Sequence, residues 1–540
     1  MAGYIVDIFV GLLLAVAVLA LLARRLHIPY PIFFVIGGLL IGWLPGLPRV
    51  RLDPDLVFLV FLPPLLYPAA LFTSWRDFRA NLRPISMLAI GLVLFTTVLV
   101  AGLAHYLFHL PLAVGFVLGA IISPPDAVAA TAIAEQLSVP RRIVTVLEGE
   151  SLVNDATALV TYRFAVAAVT TGSFSLVQAG GEILVVGIGG MLVGLAAGWL
   201  AAWFHARVDD APIEITFSLL VPFAAYLAAE RLGVSGVLAV VTAGLYLGRR
   251  APELISFRTR LRAGPVWEMV QFLLNGFVFI LIGLQLPRVL RALSSHADYS
   301  IGLLEWYALA VSIAVIIIRI LWVFPATYLP RLLLKHLREN DPYPSWRHVT
   351  IVAWTGMRGV VSLAAALALP FTIRNGDPFP NRDLVLFLTF VVIVATLVLQ
   401  GLSLPALIRR LGIKDDGAAA REEHDARLKA NRAALARLKQ FGEHNLAKAD
   451  AKRRLTIEYE DRIRQLETSD TANPSTPRHL FSSEYEHLSQ ETLVVERQTI
   501  LHLRNRGDIS DEVLRRIQLD IDLAEARLRH GDAEAINPLQ

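Results

Sequence analysis

Residues 149–155 read GESLVND: two carboxylates, a serine and an asparagine within two helical turns, followed at once by the apolar run ATALV. Two more polar breaks interrupt apolar surroundings, SPPDAV at 123–128 with Asp126 and GMRGVV at 356–361 with Arg358. On a helix Ser151 and Asp155 share a face, as do Glu150 and Asn154, while Glu148 lies one turn below Ser151. Carboxylate, hydroxyl and amide oxygens are hard donors, suited to small monovalent or hard divalent cations and unsuited to soft metals. A carboxylate held away from water takes either a proton or a metal ion, each displacing the other. Such competition, at a site that can face either side of a barrier, is sufficient for ion exchange. At the centre of a bilayer each such charge costs roughly 2.5–3.5 kcal/mol, so its retention is a functional signal.

Four acids, Asp126, Glu148, Glu150 and Asp155, share the apolar stretches with three basic residues, Arg163, Arg319 and Arg358. At least one acid is left over. Arg358, at a break, is expected to neutralise one of them, and Glu150, which lies off the face of Ser151 and Asp155, is the best candidate for that structural ion pair. Arg163 or Arg319 would support another. Asp126 and Asp155 then remain as acids without an obvious partner, a candidate site for a monovalent or hard divalent cation, flanked by Ser151, Asn154 and the backbone freed at Pro124 and Pro125. Enzymatic chemistry is not indicated, because a serine nucleophile needs a base within hydrogen-bond reach. His27, His105, His109, His205 and His348 fall at span ends or in loops, away from Ser151. A cation channel lined by the same helices is the alternative, although a channel would more naturally show rings of like residues.

The scaffold that must hold these groups is legible in the hydropathy. Of 540 residues 55% are hydrophobic, and the mean hydropathy is +0.55. Apolar stretches near 5–22, 30–46, 56–72, 84–108, 111–136, 142–170, 177–206, 212–230, 233–248, 265–287, 301–330, 348–370 and 383–410 each suit a bilayer crossing. The expected fold is an all-α polytopic membrane protein with about thirteen transmembrane helices and a helical cytoplasmic tail. Its domains would be a membrane domain over 1–414 and the tail over 415–540. With the N-terminus outside, the inner loops hold twenty Lys and Arg, from Arg24 and Arg25 to Lys414. The outer loops hold seven: Arg49, Arg51, Arg231, Arg288, Arg291, Arg374 and Arg382. This asymmetry satisfies the positive-inside rule. Pro124 and Pro125 break the fifth span, and Gly356 and Gly359 loosen the twelfth. Those are equivalent places in a six-span half and an inverted second half, the architecture of secondary transporters with a midplane ion site.

The first apolar run has no basic residue before it and Arg24 and Arg25 after it, so it reads as a first span and not as a signal peptide. Cysteine is absent, which removes disulfides, thiol catalysis and thiolate metal sites. No cofactor is implied. The formal charge of +4 describes loops that meet anionic lipid and gives no reason to expect nucleic acid. Beyond residue 414 the chain becomes charge-rich, with Leu and Ala at helical spacing and a break at TSDTANPSTP.

SPPDAVAATAI at 123–133, GESLVNDATALV at 149–160 and GMRGVVSLAAALALP at 356–370 together resemble the monovalent cation:proton antiporter-1 family, the sodium/proton exchangers of bacteria and animals. FLPPLLY at 61–67 and LLNGFVFILIGLQL at 273–286 match as well, so the resemblance covers 1–410, and the variants look most like the bacterial branch. The resemblance implies that Asp155 binds the ion and exchanges the proton. It pairs Asn154 with Asp155 as in electroneutral members, sets Asp126 at a helix crossing and makes Ser151 an oxygen ligand. It also implies a structural salt bridge between Glu150 and Arg358. By the same resemblance the fold has thirteen spans in inverted repeats, and a core domain moves like an elevator against a dimerisation domain. A homodimer in the bacterial cytoplasmic (inner) membrane would exchange one H+ per Na+, with Li+ or K+ as alternative cations, in the service of pH homeostasis. Two departures stand out. Where some members place an acid on the third span, this chain has Tyr67, Pro68 and Ala69, and its prolines precede Asp126 where many members have one after it.

Overall fold

The computed structural model describes residues 2–26, 29–44, 57–137, 139–172, 176–294, 300–341, 343–413, 417–440, 446–468 and 483–535. Arg49, Arg51, Lys414 and residues 469–477 of the expected tail break lie outside them. The described residues are helical throughout, apart from turns and one isolated bridge between Thr372 and Pro378.

In chain order the principal helices are α1 (Ala2–Leu26), α2 (Tyr30–Gly42), α3 (Leu62–Phe72), α4 (Leu82–Phe108), α5 (Leu112–Ile122), α6 (Val128–Gln136), α7 (Arg141–Thr171), α8 (Leu176–His205), α9 (Ala211–Arg231) and α10 (Gly236–Leu254). There follow α11 (Phe257–Ser294), α12 (Ile301–Leu333), α13 (Trp346–Trp354), α14 (Val360–Leu367), α15 (Arg382–Leu411), α16 (Ala418–Gln440), α17 (Leu446–Thr468), α18 (Ser483–Arg506) and α19 (Asp511–Ala535). Among the described residues eight helices are long and apolar enough to cross a membrane: those in α1, α4, α7, α8, α9, α11, α12 and α15. The fifth and twelfth expected spans are not continuous helices. Each is split in two, α5 with α6 and α13 with α14, as Pro124, Pro125 and the two glycines dictate. A π-helical segment, Val57–Phe61, leads into α3.

The chain divides into two units, the first being 1–73, 78–251 and 265–415. Most of its helices are predominantly apolar, so the innermost are buried and the outermost expose large apolar side chains. Leu384, Val385, Phe390 and Ile393 of α15 are buried, whereas Phe9 and Leu14 of α1 and Leu184, Ile188 and Leu192 of α8 are exposed. Small residues allow backbones to approach closely. A Cβ at Gly38 would strike the backbone of Ile280, and one at Gly283 the backbone of Val35, so α2 and α11 cross in direct contact. One polar knot ties helix ends together: Asp341 accepts from Arg142 of α7 at 2.8 Å and from Arg331 of α12, with Arg83 of α4 4.0 Å away.

The second unit contains residues 416–540 and also 74–77 and 252–264. Ala426, Ala430, Ala434 and Leu438 recur every four residues along α16. They pack with Leu455 and Tyr459 of α17, Leu493 and Ile500 of α18, and Leu514, Ile517 and Ile521 of α19. The two outlying segments join through charge. Arg260 forks onto Asp522 at 2.8 and 3.0 Å. Arg497 reaches the same carboxylate at 2.7 Å. Arg76 pairs with Glu422 at 3.1 Å and donates to the Gly507 carbonyl at 2.8 Å.

Candidate functional site

The site is built where the two interrupted helices meet. Helix α5 stops at Ile122 and α6 starts at Val128, while α13 stops at Trp354 and α14 starts at Val360. Both breaks leave backbone groups without helical partners, and part of each is satisfied by the other. The Asp126 N–H donates to the Met357 carbonyl at 2.7 Å. Gly359 lies against Asp126 so closely that a Cβ there would collide with the carboxylate.

Arg358 is fully buried at this crossing. Its guanidinium donates to the carbonyls of Ile122 at 2.8 Å, Ser123 at 3.4 Å and Gly356, and its backbone N–H donates to Thr396 Oγ1 at 3.1 Å. The last carbonyls of α5 form the negative end of its dipole, and Arg358 neutralises that end. The expected pair between Glu150 and Arg358 is therefore corrected. Glu150 is held instead by Arg319 of α12, which reaches its two oxygens at 2.5 and 2.8 Å and also donates to the Val352 carbonyl at 3.1 and 2.9 Å. Two parallel N–H to oxygen bonds match the guanidinium fork to the carboxylate. Arg358 is already committed to the helix end.

Around the crossing lies a cavity of about 370 Å³, lined by Asp126, Glu148, Ser151 and Asp155 together with Gln271, Asn275 and Ser362. Asp155 is only 6% exposed. Ser151 Oγ accepts from the Ala127 N–H at 3.4 Å, and the Asp126 carboxylate accepts from the Val128 N–H at 2.8 Å, capping α6. Asn154 donates through Nδ2 to the Pro125 carbonyl at 2.9 Å, so α7 grips the break through a neutral amide. Asn154 Oδ1, Asn275 Oδ1 and Ser362 Oγ are buried with no hydrogen-bond partner. Among the described residues no ion pair engages Asp126 or Asp155, and the arginines nearest the crossing are used elsewhere.

The structure thus brings Asp126, Glu148, Ser151 and Asp155 to one cavity, with Asn154 bound to its rim. It does not bring Arg163 there: Arg163 pairs with Glu230 of α9 at 2.9 and 3.0 Å. Pro68 and Ala69 do line the cavity, so the third span meets the site with apolar groups. Sequence reasoning missed Gln271, Asn275 and Ser362. The signal for Asn275 was a lone amide inside the apolar run LLNGFVF.

Two interrupted helices crossed over unneutralised carboxylates, in a bundle of apolar helices, define a multi-pass membrane transporter for cations. The chain belongs to the sodium/hydrogen exchanger family, whose transmembrane family model matches residues 11–410. It is 37% identical to an uncharacterized Na(+)/H(+) exchanger of Mycobacterium tuberculosis, over 98% of this chain and 97% of that one. It is 31% identical to the sodium, potassium, lithium and rubidium/H(+) antiporter of Bacillus subtilis, over 95% of this chain and 77% of that one. The fold is similar to that of the sodium proton antiporter MjNhaP1 from Methanocaldococcus jannaschii, with a TM-score of 0.54 and 20% identity, covering 76% of this chain and 99% of the other.

Proposed function

We propose that this antiporter exchanges Na+ for H+ at Asp155, which holds the cation and the proton in alternation. Asp126, Ser151 and Asn154 support the cation, and Glu150 with Arg319 and Arg358 hold the crossing in shape. The observation that carries this reading is the charge balance of the cavity. Arg319 is taken by Glu150 and Arg358 by the end of α5, so among the described residues Asp126 and Asp155 face the cavity with no fixed counter-charge. A mobile cation or a proton is what completes such a site. The oxygen-only donor set favours alkali cations, and the name of the Bacillus subtilis relative, which covers several of them, makes Li+ and K+ reasonable competitors. With one acid cycling beside the neutral Asn154, the expected exchange is one for one and electroneutral.

In this reading the first unit comprises thirteen spans in inverted repeats in the cytoplasmic membrane, the N-terminus is outside and the tail is cytoplasmic. It works as a homodimer by an elevator-like movement. The test is proton release from proteoliposomes on addition of Na+, Li+ or K+, with the membrane potential clamped. Wild type should respond to the cation and Asp155→Asn should not, at unchanged melting temperature. Normal exchange by Asp155→Asn would refute the site, and cation flow without proton movement would make the cavity a channel lining.

A further inference from the structure

A second cavity, of about 290 Å³, lies along α7 beyond Asp155, lined by Leu159, Tyr162 and Arg163 of α7, by Phe58 and Leu59 of the π segment, and by Glu230 of α9. The first cavity uses Leu152 and Asp155 of α7, and Leu62, Leu65 and Leu66 of α3. The two cavities therefore follow one another along the same two helices. Leu159 lies four positions after Asp155 and Leu62 three positions after Leu59, about one helical turn, or roughly 5 Å. Phe61, Ala156 and Ala158, which fall in sequence between the two sets of lining residues, are buried. The segment that contributes Phe58 and Leu59 is π-helical, Val57–Phe61, and π segments recur at functional sites.

At the far cavity Arg163 forks onto Glu230 at 2.9 and 3.0 Å. The pair is partly solvated, with side-chain exposures of 52% and 32%. Arg163 rides on the helix that carries Asp155, whereas Glu230 ends α9. An ion pair between those elements holds only while α7 stays in its present position against α9.

We infer that the far cavity is the second access route to Asp155 and that Arg163 and Glu230 are the latch that closes it. The inference rests on the exchange reading above. In the closed state the Arg163 guanidinium occupies Glu230, the one acid among the described residues lining this cavity. When α7 moves, Glu230 is released and becomes an oxygen ligand on the path of an incoming cation. Arg163 and Glu230 are thus access residues and do not belong to the Asp155 site.

The absence of cysteine from the chain gives the test a clean background. Arg163→Cys with Glu230→Cys, joined by a short reducible bis-thiosulfonate linker in proteoliposomes, should lose cation-driven proton release and regain it on reduction. The linked protein exchanging at the unlinked rate would overturn the latch. A second readout needs no transport. A membrane-impermeant maleimide should label Leu159→Cys about fivefold faster when Glu230→Gln is added, the factor expected for an exposed ion pair, and an unchanged rate would overturn the proposal. The two readings fail separately: exchange that persists in Asp155→Asn refutes the site, whereas the labelling comparison reads the latch alone.

Discussion

At the scale of single residues the decisive feature is which arginine serves which acid. Removing one partner of a buried ion pair leaves the other charged and unpaired, at a cost of about 3–5 kcal/mol. Arg319→Met should therefore lower the melting temperature sharply, and adding Glu150→Gln should recover much of the loss. Glu150→Gln added to Arg358→Met should recover little, because Arg358 answers backbone carbonyls. Equal recovery in both double variants, measured by thermal unfolding in detergent, would refute this assignment. That Ser151 and Asp155 face the same way was legible in the sequence, since their spacing on one helix fixes a common face, and both line the cavity. The partner of Glu150 was not. Helical periodicity says which side chains neighbour one another within α7, but Arg319 lies 169 residues away and Arg358 further still. Only the tertiary placement of α12, from which the Arg319 side chain reaches Glu150, decides between them. Gln271 and Asn275 were hidden for the same reason, because a single amide in an apolar helix does not announce which way it faces.

At the scale of elements, the breaks matter more than the helices. The prolines and glycines announced both interruptions, because a missing donor or a missing side chain acts locally, wherever the helix lies. What they could not announce is that the breaks touch. Gly359 has no side chain because the Asp126 carboxylate occupies that space. Gly359→Ala should push Asp126 aside and reduce exchange at least tenfold, mostly through a higher apparent KM for the cation, with only a modest fall in melting temperature. The check is cation-dependent proton release over a concentration series, and an unaltered KM would show that Asp126 does not depend on this contact. Asn154→Asp should replace the donor to the Pro125 carbonyl by an acceptor facing an acceptor. That variant is expected to melt at lower temperature, by about the 1–3 kcal/mol of one unsatisfied buried group.

At the scale of the whole molecule, the ends of three long helices depend on one carboxylate. Burial alone would raise the Asp341 carboxyl, but the hydrogen bond and charge of Arg142, joined by Arg331, hold it below the ordinary value. A depressed carboxylate stabilises the fold above its unfolded value, about 3.9, and the benefit is lost as pH falls through the folded one. Asp341→Asn should therefore melt below wild type at pH 7, with the gap closing in acid below about pH 4. A gap independent of pH would mean that Asp341 acts through shape alone. The second unit has a different consequence, concerning time. Arg76 finds its carbonyl partner at Gly507, 431 residues later in the chain, and Arg260 finds Asp522 after 262. At about 5–20 residues per second, a ribosome leaves Arg76 waiting roughly 20–90 s for that partner. The apolar helices up to residue 411 are made while Arg76 and Arg260 still lack these two partners. A chain terminated before residue 507 would deprive Arg76 of the Gly507 carbonyl and Arg260 of the Asp522 carboxylate, which makes the last hundred residues a late step in completing segments made long before.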